Sequence, residues 1–168
     1  NIENVFGEEK KYIILRTSWI LGPIGKNFLL TILSLNENKE TIKVVDDQIG
    51  SITSTISLAN ACWKTIENFS NNSFHKDNFS ILHFSDKGNT SWYDIATNIG
   101  NSAKKIGLLS KTARVEAIKS IKYPTLAKRP SYSVLDCTET YKTLGIEPIY
   151  WKNSIEDIIK LIKVKKNK

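Results

Sequence analysis

The sequence is poor in the residues that mark several classes of protein. Its 168 residues contain no methionine, two histidines and two cysteines. No apolar run approaches the ~20 residues that a membrane span needs. Cys62 and Cys137 stand far apart without metal-ligand spacing, which predicts reduced thiols and excludes a disulfide-stapled domain. The start, NIENVFGEEKK, has neither the basic residues nor the apolar core of a signal peptide, so we expect a cytoplasmic protein with no membrane partner.

The missing methionine also concerns the start of the chain. The sequence begins with Asn1, and removal of an initiator methionine before asparagine is uncommon. We therefore expect the sequence to be a fragment of a longer reading frame.

No motif places a catalytic nucleophile or a metal ion. His83 lies within an apolar run and has no convincing serine or cysteine partner, and no cluster of His, Cys, Asp and Glu has metal-ligand spacing. Asp46 and Asp47 are adjacent and are followed by glutamine and, two residues on, by glycine, a pattern typical of a turn. The sequence predicts no metal site.

The net charge of +7 comes from 24 lysines and arginines against 17 acidic residues. Clustered cations would indicate nucleic-acid binding, because they neutralise phosphates. Here the lysines are scattered, and the dense run is the tail KVKKNK, which is typical of a solvated end. We therefore expect no nucleic-acid partner.

Short apolar runs alternate with amphipathic segments along the chain. KKYIILRTSWI contains a run typical of a buried parallel strand, and TIKVV, FSILHFS and RVEAI predict further strands. DDQIGS predicts a turn. Helices are predicted after Asn27, over TSTISLANACWKTIENF, after Thr90 or Ser91, between Asp136 and Gly145, and over WKNSIEDIIKLIKV. This alternation predicts an α/β fold in a single domain over 1–168.

Apolar side chains at helical spacing indicate which helix faces pack. The second predicted helix carries four of them near one face: Ile56, Ala59, Trp63 and Ile66. Trp92 and Tyr93 are predicted to pack at a helix start rather than to contact a ligand, and Trp151 is predicted to clamp the last helix.

Polar and aromatic residues follow the predicted strands, at the edge where open α/β sheets place their ligands. RTSWILGP (16–23) puts Thr17, Ser18 and Trp19 after the first strand, and DDQIGSITS (46–54) puts Gln48 after another. These residues are the candidates for ligand contact.

The segment YPTLAKRPSYSVLD (123–136) has neither a helical nor a strand period. Pro124 and Pro130 restrict the backbone on both sides of Lys128 and Arg129. A guanidinium held on a stiff backbone suits a diphosphate, because it can donate two parallel hydrogen bonds.

Taken in order, RTSW, NF, VVDDQIGS-x-T, TSWYDIA, YPTLAKRPSYSVLD and LGI resemble the C-terminal half of the dTDP-4-dehydrorhamnose reductases, over residues 10 to 160. The resemblance implies the C-terminal part of a Rossmann-like NAD(P)-binding fold with its small substrate-binding subdomain, without the N-terminal nucleotide-binding half. It implies hydride transfer from NADPH or NADH to the C4 ketone of a dTDP-4-keto-6-deoxy sugar, in dTDP-L-rhamnose biosynthesis.

The same resemblance implies roles for individual residues. Trp19 matches the tryptophan that flanks the sugar, Gln48 and Gly50 match a second substrate loop, and Arg129 matches the arginine that holds the diphosphate, with Lys128 beside it. Three residues match the strand end near the nicotinamide of the cofactor: Arg16, Thr17 and Ser18. Two positions depart from the family pattern, namely Ile52 where proline is usual and Ser57 where an acid is usual.

Two parts of a complete reductase are absent from these 168 residues. No tyrosine is followed four residues later by lysine, and no G-x-x-G-x-x-G turn occurs. We therefore expect this chain alone to be inactive and not to bind the cofactor tightly. Two alternatives stay open: a non-catalytic binding module or regulatory subunit of the same family, and another nucleotide-sugar reductase or epimerase.

The resemblance also implies an exposed strand. In the family, the apolar strand from Tyr12 to Leu15 lies beside strands of the other half, so here its edge is left unpaired. We expect a homo-oligomer formed through that edge.

Overall fold

A computed structural model describes residue 5 and residues 12–70 and 81–166. In these residues the predicted alternation of strands and helices is confirmed. The strands are β1 (Ile14–Thr17), β2 (Ile20–Leu21), β3 (Thr41–Val45), β4 (Ile49–Gly50), β5 (Thr53–Ser54), β6 (Ile81–Phe84), β7 (Thr90–Ser91), β8 (Arg114–Ile118) and β9 (Tyr132–Ser133). The helices are α1 (Phe28–Asn38), α2 (Thr55–Ser70), α3 (Trp92–Ile106), α4 (Thr138–Leu144) and α5 (Trp151–Lys166), with a 3-10 turn at Ser120–Lys122.

Three pairs of strands in the described ranges are parallel, as is typical of an α/β fold. β1 pairs with β6, β2 with β5, and β3 with β8 over five residues. A fourth, small sheet has β4 at its centre, antiparallel to β7 and parallel to β9. None of the helices in the described ranges is long and apolar enough to cross a membrane.

Local signals set the helix ends. Asn27 caps α1 by accepting a hydrogen bond from Leu30 N at 3.2 Å. Ser91 and Asp94 form a complete capping box at the start of α3, so the alternative cap Thr90 is not used. α4 begins at Thr138, two residues after the predicted start at Asp136, and Gly145 ends it in the left-handed conformation.

Two hydrophobic clusters hold the described residues together. The larger one joins α1, α3 and α5 with β3, and the predicted clamp residue Trp151 is 3% exposed within it. The smaller one lies between the β1–β6 pair and helices α2 and α4, and its fully buried members are Ala61, Leu82, Phe84 and Leu144. The side of the fold that contains β1 is therefore the more lightly packed one.

Two sequence expectations need correction. The apolar face of α2 is exposed, with Ile56 at 43%, Trp63 at 65% and Ile66 at 54%, because Leu58 and Ala61 on its other side pack against the sheet. DDQIGS is only in part a turn, because its Ile49 and Gly50 form β4.

One buried polar side chain links α1 to the segment before β8. Asn36 is fully buried, its amide donates to Ile32 O at 2.8 Å, and its carbonyl oxygen accepts from Ala113 N at 2.9 Å. Removing the side chain would leave the Ala113 amide without this partner.

We predict that Asn36→Ala lowers the free energy of unfolding by about 1–3 kcal/mol, the cost of an unsatisfied buried group. Asn38→Ala is the matched control, because Asn38 makes the same bond to the residue four positions earlier, at 2.8 Å, but is exposed. Chemical denaturation of the two variants measures the difference. Equal losses in both variants would contradict a specific role for Asn36.

Candidate functional site

The candidate site is assembled around β4. Gln48 lies immediately before this strand, and Trp92 follows the neighbouring strand β7. The other neighbour, β9, directly follows a segment of residues 119–131 that we call the strap. Because β4 is paired on both edges, it brings together three segments that lie far apart in the sequence.

A cavity of about 290 Å³ opens at this place. Its floor comes from α1 and β3, and its remaining walls come from Gln48, Trp92 and the strap. The lining residues are Phe28, Thr31, Ile32, Leu35, Ile42, Lys43, Val44, Val45, Gln48, Trp92, Tyr123, Thr125 and Arg129. The cavity is therefore mainly apolar and aromatic, with a few polar and cationic groups.

Two of the predicted ligand contacts, Gln48 and Arg129, line this cavity. Arg129 is exposed and forms no ion pair within the part of the chain that the structure describes, so its guanidinium is free for an anion. Lys128 is exposed too, but it is not a lining residue. Lys43 of β3 is a second cation on the wall, which the sequence analysis missed.

An aromatic stack supports one wall. The Trp19 and Trp92 rings are stacked, with centroids 3.9 Å apart and an interplanar angle of 20°. The Phe28 ring also packs against Trp92, with the two ring centroids 4.6 Å apart. Trp92 thus packs at a helix start, as predicted, and also faces the cavity, whereas Trp19 lies behind it.

The backbone at Trp19 is strained. Its φ is 42°, in the left-handed region that non-glycine residues rarely adopt. Its carbonyl accepts from Thr53 N at 3.2 Å, and its ring lies so close to Gly50 that an added Cβ would be 2.6 Å from Cζ2. Strain of this kind is held where surrounding contacts over-determine the conformation.

The end of β1 is tied to the loop around β5. The Thr17 hydroxyl donates to Thr53 Oγ1 at 2.7 Å, and the Ser18 hydroxyl donates to Ser51 O at 2.7 Å. Arg16 is exposed on β1 and, in the residues described, has no ion-pair partner. None of the three lines the cavity, so their predicted role toward the cofactor stays a prediction.

Asp47 fastens the first end of the strap. Its carboxylate accepts a bifurcated hydrogen bond from Ser120 N, at 2.9 Å to Oδ1 and 3.1 Å to Oδ2, and another from the Ser120 hydroxyl at 3.0 Å. Desolvation raises the pKa of Asp47, but these bonds and the nearby charge of Lys119 outweigh it, so the pKa lies below its ordinary value. The ionised form is therefore favoured, and the anchor is complete above the ordinary pKa of an aspartate.

The two departures from the family pattern both lie beside Asp86, Ile52 at its backbone amide and Ser57 at its buried carboxyl group. Asp86 is 2% exposed, its amide donates to Ile52 O at 2.8 Å, and its carboxylate accepts from Ser54 N at 3.0 Å. Burial raises the pKa of Asp86, although the hydroxyls of Ser154 and Ser57 and the Ser54 amide lower it in part. Ser57 thus lies beside a carboxyl group that is costly to ionise.

We predict that Gly50→Ala separates the Trp19 and Trp92 rings, because the new Cβ overlaps the Trp19 indole. Near-ultraviolet circular dichroism should show a weaker tryptophan signal, and unfolding should cost about 1–3 kcal/mol less. Gly25→Ala is the control: its φ of 79° adds backbone strain, but a Cβ there meets nothing within 4 Å. An unchanged tryptophan signal in Gly50→Ala would contradict the packing.

Known proteins match this chain over most of its length. The model of the RmlD substrate binding domain family matches residues 3–164. The dTDP-4-dehydrorhamnose reductase of Aggregatibacter actinomycetemcomitans is 38% identical over 148 residues, which cover 88% of this chain and 50% of that relative.

Solved structures give the same result. A dTDP-4-dehydrorhamnose reductase from Clostridium acetobutylicum superposes with a TM-score of 0.78 at 33% identity, covering 91% of this chain and 49% of that one. The enzyme from Bacillus anthracis, solved in complex with NADP, gives 0.77 at 28%, covering 90% and 49%. The predicted resemblance and the partial Rossmann-like α/β fold are confirmed. The chain spans about half the length of these relatives, and it belongs to the RmlD substrate binding domain family.

Proposed function

We propose that this chain is the nucleotide-sugar-binding part of a dTDP-4-dehydrorhamnose reductase, and that its cavity takes the nucleoside diphosphate. The observation that carries the proposal is the cavity with Gln48 and a free Arg129 on an otherwise apolar and aromatic wall. The names of the matching relatives support a dTDP-sugar as the ligand class.

The lining offers the contacts that such a ligand needs. A volume of about 290 Å³ lies at the lower end of the range for ligand pockets, ~300–1,000 Å³, which suits part of a nucleotide sugar rather than all of it. Apolar side chains of α1 and β3 and the rings of Trp92 and Tyr123 can pack on a planar base. Arg129 and Lys43 supply positive charge for the two phosphates, and the Arg129 fork can bind two oxygens at once.

The remaining predicted contacts lie nearer the strand end. In the proposal, Trp19 flanks the sugar beside the cavity, and Lys128 adds positive charge at longer range. Arg16, Thr17 and Ser18 border the cofactor, and the exposed guanidinium of Arg16 suits its anionic groups. Thr17 and Ser18 keep that border in place, since their hydroxyls already bond to the β5 loop.

The cofactor of the proposed full-length enzyme is NADPH or NADH, which supplies the hydride for the C4 ketone of the sugar. The sequence of this chain contains neither Tyr-x-x-x-Lys nor a glycine-rich phosphate turn. Its own contribution is therefore to bind and orient the nucleotide sugar. Inactivity of the chain alone and a cytoplasmic location are parts of the same proposal.

We predict that the chain binds dTDP and that Arg129→Ala weakens this binding about 10- to 100-fold, because hydrogen bonds to charged groups contribute ~1.5–3 kcal/mol each. Isothermal titration calorimetry with dTDP measures the dissociation constants. Lys122→Ala is the control, because Lys122 is an exposed cation of the same strap that does not line the cavity.

Equal losses in the two variants would mean that only net charge matters and would contradict the assignment of Arg129. A wild-type chain that does not bind dTDP would refute the proposed function and favour a non-catalytic binding module.

We further propose that the isolated chain forms a homo-oligomer through β1. In the described residues β1 pairs only with β6, whose other edge is covered by α4: His83 N donates to Thr140 Oγ1 at 3.2 Å. Parallel strands are normally paired and covered on both faces, so the free edge of β1 favours association.

We predict that the wild-type chain sediments as a dimer or larger species and that Ile14→Lys, which puts a charge on β1, shifts it to the monomer. Val164→Lys is the control, since Val164 is 55% exposed on α5, away from β1. Sedimentation velocity distinguishes the species. A monomeric wild-type chain at micromolar concentration would contradict the proposal.

A further inference from the structure

The strap is held at its two ends by one short stretch of chain. At its start, the Ser120 amide and hydroxyl both donate to the Asp47 carboxylate. At its end, Ile49 N donates to Ser131 O at 2.8 Å, and β4 pairs with β9. Between these two anchoring residues lies Gln48, which lines the cavity. Residues 47–49 therefore fix both ends of the strap and one wall of the cavity at the same time.

Between its anchors the strap has little else to position it. Residues 121–130 are all exposed. Within the described residues, the side-chain hydrogen bond of this stretch is local: the Thr125 hydroxyl donates to Ala127 O at 2.8 Å. Yet Tyr123, Thr125 and Arg129 from this stretch line the cavity. The position of these three side chains thus depends on the directions in which the chain enters and leaves the strap.

Both ends of the strap adjoin a backbone ladder, but at the first end the ladder stops at Ile118, and Ser120 is held by a side chain. The β3–β8 ladder is followed by a bond from Asp46 N to Ile118 O at 3.1 Å. Beyond it, the adjacent acids make different contacts: Asp46 forms an ion pair with Lys119 at 3.0 Å, and Asp47 binds Ser120. The Lys119 side chain is 61% exposed, and such surface ion pairs contribute ~0–1 kcal/mol. Asp47 is therefore the stronger of the two contacts.

We infer that Asp47 is a positioning residue for ligand binding: by holding Ser120, it directs the strap so that Arg129 and Tyr123 face the cavity. The inference rests on the proposed function, because it concerns the ligand of the same cavity. Asp47 acts only through the strap, and no contact between Asp47 and the ligand is required.

The effect on affinity follows from the fraction of molecules whose strap is in the binding position. When that fraction falls to about a fifth, the apparent dissociation constant rises about fivefold. Loop-closure entropy alone cannot produce this, since releasing Ser120 lengthens the free segment by only about two residues. The larger effect is the lost orientation of the chain at Ser120.

The first measurement is hydrogen exchange of the strap amides, which needs no ligand. We expect residues 121–130 to exchange faster in Asp47→Ala than in the wild-type chain, with unchanged exchange in α3 and α5. Asp46→Ala is the matched control and should exchange like the wild type. Asp47→Asn should restore most of the protection, because its amide oxygen can still accept from Ser120 N.

The second measurement is dTDP binding by calorimetry in a double-mutant cycle. Asp47→Ala should weaken binding about fivefold in the wild-type background but less than about twofold in Arg129→Ala, because both changes act on the same contact. A general loss of structure would weaken binding equally in both backgrounds, and that result would overturn the inference.

The two measurements separate this inference from the proposed function. Unchanged strap exchange in Asp47→Ala overturns the positioning role whatever the ligand is. Faster exchange with unchanged dTDP affinity overturns it as well. If the wild-type chain does not bind dTDP, the proposed function fails, while the exchange experiment still decides whether Asp47 holds the strap.

Discussion

The close approach of the Trp19 indole to the Gly50 backbone is the contact on which the candidate site depends. Any side chain at position 50 would occupy the space of the ring. With glycine there, Trp19 can lie over β4 and stack on Trp92, while the Thr53 amide holds its strained backbone. Ile49 and Gly50 of β4 also pair with β7, which precedes α3, and with β9, which follows the strap. The same strand therefore positions the start of α3 and the end of the strap. A two-residue strand thus joins the segments that carry Gln48, Trp92 and the strap residues of the cavity lining.

The two hydrophobic clusters differ in which elements they cover. The larger cluster packs α1, α3 and α5 against β3, and α1 and β3 form the floor of the cavity. Beside the smaller cluster, β1 is paired along one edge among the residues that the structure describes, and α2 has an apolar face toward solvent. An apolar face of this kind usually marks a contact surface. The cavity therefore lies over the larger cluster, whereas apolar surface that further chain or a partner could cover lies on the side that contains β1 and α2.

The sequence predicted what local interactions determine, and it failed where distant segments meet. Asn27, Ser91 and Gly145 mark helix ends because each acts on the backbone within a few residues. β4 was missed because it has only two residues, too few to show the alternation of apolar and polar residues that predicts a strand. Its neighbours lie about 40 and 80 positions further along the chain. For α2, periodicity indicates an apolar face but not whether that face meets the sheet. Gln48 was found from its place after a predicted strand and Arg129 from its place between two prolines, and the family resemblance indicated the same two residues. The place of Trp92 on the wall depends on strand pairing that the sequence does not show.

The departures at positions 52 and 57 are compatible with the fold for a physical reason. The hydrogen bond of Ile52 uses its carbonyl, which proline also possesses, so either residue can accept from Asp86 N. An acid at position 57 would bring a second carboxylate near the buried Asp86, where like charges oppose ionisation. Serine instead offers a hydroxyl that can donate to it. The change at 57 therefore lowers the electrostatic cost of Asp86, whose bond to Ser54 N holds the start of α2 and, through β5, the end of β1.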